Sequence, residues 1–181
     1  MLAQDRAAMS APDFSAAASR LCTACGMCCN GVLFHIVRLQ PTDSVKRLES
    51  LGMKVNRKKK EPYFNQPCRF LQECTCTIYQ DRPSRCRLFE CAQIQQMAAG
   101  ETSEAEARSI VMRARQAVSR LEALLEKWGN LEKQLPLAER CAQVLPLVTP
   151  EERQILTDEM RGLNQLLNQH FRLEAVELSI C

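Results

Sequence analysis

Cysteine is the residue type in this chain whose spacing points to chemistry, and that chemistry is metal binding. The first cluster places four cysteines within eight residues: Cys22, Cys25, Cys28 and Cys29. Two residues between cysteines let two thiolates turn inward on one metal ion, and Gly26 permits the tight turn that this requires. Cysteines that act only as small buried apolar side chains follow no spacing rule, so packing alone does not explain this cluster.

A second cluster is more widely spaced and includes a proline that fixes local structure. Pro83 predicts a turn or a helix start, which places Cys86 in the first turn after it. The free amide groups of a helix start favour a thiolate at Cys86. The cysteines of this second cluster are Cys68, Cys74, Cys76, Cys86 and Cys91.

Cysteine content also bears on the compartment, because the chain has 11 cysteines among 181 residues. The N-terminus has no leading basic cluster or long apolar run, and Asp5 and Asp13 interrupt it. A secretory signal is therefore not predicted. We expect a cytoplasmic protein with reduced thiols rather than a secreted protein held by disulfides. No stretch approaches the roughly 18 apolar residues of a membrane helix, so we expect no membrane partner.

Charge divides the chain in the same place as the cysteines. Residues 1–91 carry 14 Lys and Arg against 8 Asp and Glu, whereas residues 92–181 carry 10 against 13. Metal-bound thiolates usually leave a net negative charge, which basic neighbours offset. The excess is modest for a nucleic-acid surface, and we expect no nucleic-acid partner. The basic residues expected near the site are Arg38, Arg69, Arg82, Arg85 and Arg87.

The cysteine motifs, taken in order, resemble a known family. They read C-x2-C-x2-C-C, then P-C-x-F-L, then C-x-I-Y-x2-R-P-x2-C-R and a final Cys. From about Leu21 to Cys91 the chain resembles the YkgJ-type cysteine-cluster family, which is described as zinc- or iron-chelating and whose members are often called iron–sulfur proteins. The resemblance implies eight ligands, with Cys74 as an extra candidate: Cys22, Cys25, Cys28, Cys29, Cys68, Cys76, Cys86 and Cys91.

The number of metal centres stays open at this stage. One tetrahedral zinc ion or one four-iron cluster uses four thiolates. Eight or nine candidates therefore imply two centres or one polynuclear centre. Cys28 and Cys29 point in different directions along an extended chain. They could serve two centres, or one could bind metal while the other is a redox thiol.

Other residues near the clusters are assigned supporting roles. We expect His35, in a strand predicted over residues 32–37, to be a hydrogen-bonded strand residue rather than a ligand. Tyr79 and Arg82 are expected to brace the site by hydrogen bonds or charge. Cys141 is expected to be a buried free thiol, and Cys181 an exposed one.

The elements that must position these residues are predicted from caps and apolar periodicity. Ser103 and Glu106 form a capping box, and an apolar stripe with helical spacing follows. The segment 149–152, Thr-Pro-Glu-Glu, predicts a second helix start. These two helices are expected to pack antiparallel on each other or on the cysteine half. Prolines frame a short helix within residues 131–148, and alternation over residues 176–180 indicates a terminal strand.

The sequence therefore predicts an α+β, mostly helical protein, with a small irregular metal-cored domain followed by a helical hairpin or bundle. The expected segments are a flexible 1–18, a cysteine domain 19–97, a helical region 98–172 and a tail 173–181. The expected function is to hold an iron–sulfur or zinc centre, with iron favoured, in a redox or metallocentre accessory protein. Two alternatives stay open: a zinc-stabilised module whose helices bind a protein partner, and an enzyme. Methyl transfer is implied only by likeness to the flagellin lysine N-methylases.

Overall fold

The computed structural model describes residues 11–176. Most of this range is helical, with two small antiparallel sheets, β1–β2 and β3–β4, which confirms the predicted mostly helical α+β class. Helices α1 to α7 are Ala11–Cys25, Val45–Ser50, Ser84–Leu88, Ala92–Ala98, Glu104–Lys127, Leu137–Val144 and Pro150–His170. Strands β1 to β4 are Ile36–Arg38, Tyr63–Asn65, Leu71–Gln72 and Thr75–Cys76. No helix within this range is both long and apolar enough to cross a membrane.

Helices α5 and α7 form the centre of a helical body. Both begin with the predicted capping boxes, at Ser103 for α5 and at Thr149 for α7. The indole nitrogen of Trp128, at the end of α5, donates to Glu152 at the start of α7 at 2.8 Å. The Arg120–Glu159 ion pair joins their middle turns at 3.0 Å. The two helices are therefore antiparallel, as predicted, and α6 is the short helix expected between them.

Helices α1 and α4 belong to the same body, since both pack against α5. Residues 11–18, expected to be flexible, form the start of α1, and Ala17 within them is 0% exposed. Arg20 on α1 also pairs with Glu104 at the start of α5 at 2.7 Å. The predicted boundaries at 18/19 and 97/98 fall inside α1 and α4. The division into domains stays a prediction.

A second, smaller core lies under the β1–β2 sheet and α2. It consists of Val37, Leu39, Leu48, Met53 and Phe64. Val37 pairs directly with Phe64 across the sheet.

Strand β1 is shorter than the strand predicted over residues 32–37, because it begins at Ile36. The N–H groups of Val32 and Leu33 are already bonded to Asn30 and Met27 in the preceding turn. They are therefore not free to join a ladder. The expected terminal strand and Cys181 lie beyond the described residues, apart from Val176, which is not in a strand.

Candidate metal centre

The end of α1 brings the first cysteine cluster together. The helix stops at Cys25, and Gly26 follows with a φ of +69°, a conformation that glycine adopts without strain. Gly26 donates to the carbonyl oxygen of Cys22 at 3.2 Å and accepts from the N–H of Cys29 at 2.9 Å. The chain therefore folds back beneath the helix, and Cys28 lies in this turn.

Cys91 lies in the same place although it is distant in sequence, and it immediately precedes the start of α4. Two contacts from the end of α7 hold that start. The N–H of Ala92 donates to the carbonyl oxygen of Phe171, and the Gln93 amide donates to that of His170, both at 3.1 Å. Burial raises the pKa of Cys91, and the neighbouring N–H groups of Gln93 and Ile94 act in the opposite direction and favour its thiolate.

Four thiols gather here, and we call them the helix-side group: Cys22, Cys25, Cys28 and Cys91. Cys25 and Cys91 pack against the large core of the helical body. Burial raises the pKa of Cys25 to about 12, although the N–H of Met27 opposes this by bonding to the sulfur, and the Cys91 and Cys22 thiolates raise it further. The pKa of Cys28 lies well above its ordinary value, through burial first and then through the charges of Cys25 and Cys91.

The remaining four candidate ligands form a second set, the sheet-side group: Cys29, Cys68, Cys76 and Cys86. The N–H of Cys68 donates to the carbonyl oxygen of Cys29 at 2.7 Å. Cys76 lies in β4, opposite Leu71 of β3. Cys68 and Cys86 pack against the smaller core. Burial, and then the thiolate charges of this group, raise the pKa of Cys29 and of Cys86 to about 12.

Cys86 occupies the predicted position in the first turn after Pro83, and its N–H donates to the Pro83 carbonyl at 2.9 Å. Asp43, which was not among the predicted site residues, holds this turn in place. One carboxylate oxygen of Asp43 accepts from the N–H and hydroxyl of Ser84 at 2.8 and 2.7 Å. Burial would raise the pKa of Asp43, but these bonds and one from Gln40 outweigh it and lower the pKa. The sequence around Asp43 indicates only a turn. Its hydrogen bonds to Ser84 could not be predicted because the two residues are distant in sequence.

Cys74 and Cys76 are near neighbours in sequence but belong to different surroundings. A Cβ atom placed on Gly26 would lie 3.2 Å from the Cys74 sulfur. The Cys74 charge also acts on Cys25. Cys74, the extra candidate ligand, therefore lies beside the helix-side group.

Arg82 faces both groups. Its guanidinium lies 3.6 Å from the centre of the Tyr79 ring, and its Nε donates to the Tyr79 carbonyl at 3.1 Å. Its positive charge acts to lower the pKa of Cys22, Cys29 and Cys86. Arg69 acts in the same way on Cys68. By contrast, Arg38 lies 4.0 Å from Glu61 at the surface.

The chemistry of the donor set fits a thiolate-bound metal. All ten described cysteines are free thiols, and Cys141 is a buried one within the helical core, as predicted. His35 is exposed, and its carbonyl oxygen accepts from the N–H of Gln66. Within residues 11–176, no group of three or more Cys, His, Asp or Glu side chains is already arranged to hold an ion. Rotation about χ1 alone moves each cysteine sulfur. The fit to a metal is therefore judged from the type of donor atoms that lie near one another.

Comparison with known proteins assigns the chain to a class of chelating domains. The model of the CxxCxxCC family, described as "Putative zinc- or iron-chelating domain", matches residues 21–113. This chain belongs to that family. The match runs past Cys91 into α5, beyond the stretch that the cysteine motifs alone indicated. No curated protein matches the chain, and no solved structure does.

Proposed function

We propose that this protein binds iron as an iron–sulfur cluster through cysteine thiolates and serves as a redox or metallocentre accessory protein. The observation that carries the proposal is that cysteines distant in sequence are brought together: Cys25 and Cys91 against the helical core, and Cys68 and Cys86 against the smaller core. Burial raises the pKa of Cys25, Cys68 and Cys91, and nearby backbone N–H groups act in the opposite direction. Hydrogen bonds to sulfur stabilise the charged thiolate and tune the reduction potential of a cluster.

The surroundings of the helix-side group support the same proposal. Cys25 and Cys91 are covered by the helical core, whereas Cys22 is exposed. A bound cluster would supply one-electron chemistry, with its potential set by burial and by hydrogen bonds. The helical core partly covers Cys25 and Cys91, and the positive charge of Arg82 acts on Cys22. Ten free thiols also suit a reducing compartment, and we propose a cytoplasmic location.

Metal and acid-labile sulfide analysis tests this proposal on protein purified without air and without a metal-binding tag. We expect iron with stoichiometric sulfide and a broad absorption band near about 400 nm, which is typical of thiolate-bound clusters. Zinc without sulfide would overturn the assignment to iron. Protein that takes up neither metal would overturn the function as a whole.

A zinc-stabilised interaction module is the second candidate, and exposed apolar residues beside the cysteines favour it. Leu88 is 79% exposed and Phe89 is 36% exposed, and both lie between Cys86 and Cys91. The Phe89 ring meets Phe34 edge-on, with ring centres 5.0 Å apart. Under this candidate the metal holds the surface in shape for a protein partner. Colourless protein that contains zinc and loses its fold on chelation would support it.

A further inference from the structure

We propose that the eight thiols hold two separate metal centres, one in the helix-side group and one in the sheet-side group. The division falls at the peptide bond between Cys28 and Cys29. This inference rests on the proposed metal binding and goes beyond it, because it assigns ligands to each centre. Each group has four of the eight thiols, which is the number that one zinc ion or one four-iron cluster uses, and Cys74 lies beside the helix-side group as a further thiol.

Packing is the first observation behind the division. Cys25 and Cys91 lie against the core of the helical body, whereas Cys68 and Cys86 lie against the core beneath β1 and β2. The two cores are distinct hydrophobic clusters. A single polynuclear centre would draw its ligands from both clusters at once.

The path of the backbone is the second observation. Helix α1 carries Cys22 and Cys25 and contacts α4, which begins after Cys91. The sheet-side group is tied by the hydrogen bond from the Cys68 N–H to the Cys29 carbonyl. Cys76 adds to it through the β3–β4 pairing. The consecutive residues Cys28 and Cys29 thus belong to different groups.

Electrostatic interactions agree with this division. The Cys91 charge acts on Cys22, Cys25 and Cys28. In the other group, Cys29 and Cys86 both feel the charges of Cys68 and Cys76. Two interactions cross between the groups, Cys22 with Cys29 and Cys28 with Cys29, and the second joins residues adjacent in the chain. Arg82 faces both groups and supplies positive charge between them.

Zinc stoichiometry tests the inference on the full chain, with Zn²⁺ as the probe and native mass spectrometry as the measurement. We expect two zinc ions in the wild-type chain. Cys91→Ser and Cys86→Ser should each retain one ion, and the double variant none. Cys141→Ser, which changes a buried thiol in neither group, is the matched control and should keep two ions.

A single shared centre predicts a different result, in which either single variant loses all its zinc while the control keeps it. That result would overturn the inference and leave the proposed function standing. A wild-type chain that binds no zinc and no iron would instead overturn the proposed function.

Chelator titration of the wild-type chain gives a further test that needs no variant. Two separate centres should populate a species with one zinc ion during release. A direct passage from the loaded to the empty chain would contradict the inference.

Discussion

The helix-side and sheet-side groups lie next to each other but depend on very different supports. The core behind the helix-side group contains 21 buried residues drawn mainly from long helices. The core behind the sheet-side group contains five, from short strands, a short helix and loops. A small core contributes little stability of its own, and small domains often depend on a metal. From this comparison we expect the fold to hold the helix-side thiols in place, whereas metal bound to the sheet-side thiols would hold their region together.

Removal of the metal should give the largest effect and should separate the two regions. Structural zinc contributes about 10–16 kcal/mol of apparent binding free energy at pH 7. After chelation we expect residues 29–90 to lose protection against hydrogen exchange, while α5 and α7 keep theirs. Exchange measured by mass spectrometry, with helix content from circular dichroism, checks this. Equal loss of protection in both regions would show that the two groups do not differ in their dependence on metal.

Acid should release the metal from both groups. Because burial raises the pKa of Cys25, Cys29 and Cys86 to about 12, these thiols are protonated near pH 7 without metal, and metal binding must displace their protons. Affinity should therefore fall as the pH falls, by up to about four decades per unit for four displaced protons.

The release should begin in the helix-side group. Arg82 favours thiolates in both groups and Arg69 adds to this in the sheet-side group, whereas burial raises the pKa of Cys28 in the helix-side group well above its ordinary value. Zinc release followed against pH in Cys86→Ser and Cys91→Ser, each with one remaining centre, compares the two. Release at the same pH from both variants would show that these charges have no net effect.

A substitution in the smaller core should weaken the sheet-side centre without disturbing the helical body. Phe64 is 2% exposed and pairs with Val37 beneath the sheet. Phe64→Ala should destabilise this region by about 3–5 kcal/mol through lost burial and an unfilled cavity. The measurement is the zinc affinity of the sheet-side centre, with Phe64→Ala introduced into Cys91→Ser, which retains that centre. Leu156→Ala, in the helical core, is the matched substitution and should mainly lower the denaturation midpoint of the helices.

Loss of the Asp43 carboxylate should have a smaller and more local effect. Asp43→Ala removes the acceptor for the N–H and hydroxyl of Ser84 at the start of α3, a change comparable to the loss of a helix cap, about 0.5–2 kcal/mol. Affinity at the centre that contains Cys86 should fall by about one decade. Asp158→Ala, an exposed carboxylate paired with Arg161 on its own helix, is the control. A loss of affinity in both variants would point to a general charge effect.

Local signals in the sequence were enough to predict the helical half. The capping boxes at Ser103 and Thr149, the short α6 after Pro136, and the position of Cys86 after Pro83 all depend on neighbours within a few residues. Such interactions can be seen in the sequence itself.

The features that were missed depend on distant partners. The burial of Ala17 requires α5, and the role of Asp43 requires Ser84. The cysteine spacing indicated a metal site and left one or two centres open. Spacing alone does not show which core each thiol meets, and the groups combine cysteines from both sequence clusters.

The contact between α7 and the start of α4 also sets an order of assembly during synthesis. A ribosome produces Cys29, Cys68, Cys76 and Cys86 before it reaches α4, so the sheet-side group has its full set of thiols early. The two residues after Cys91, Ala92 and Gln93, donate to the carbonyl groups of Phe171 and His170, which emerge much later. The sheet-side thiols are therefore all present before α4 emerges, whereas the start of α4 beside Cys91 gains its contacts with the end of α7 only after residues 170 and 171 have been synthesised.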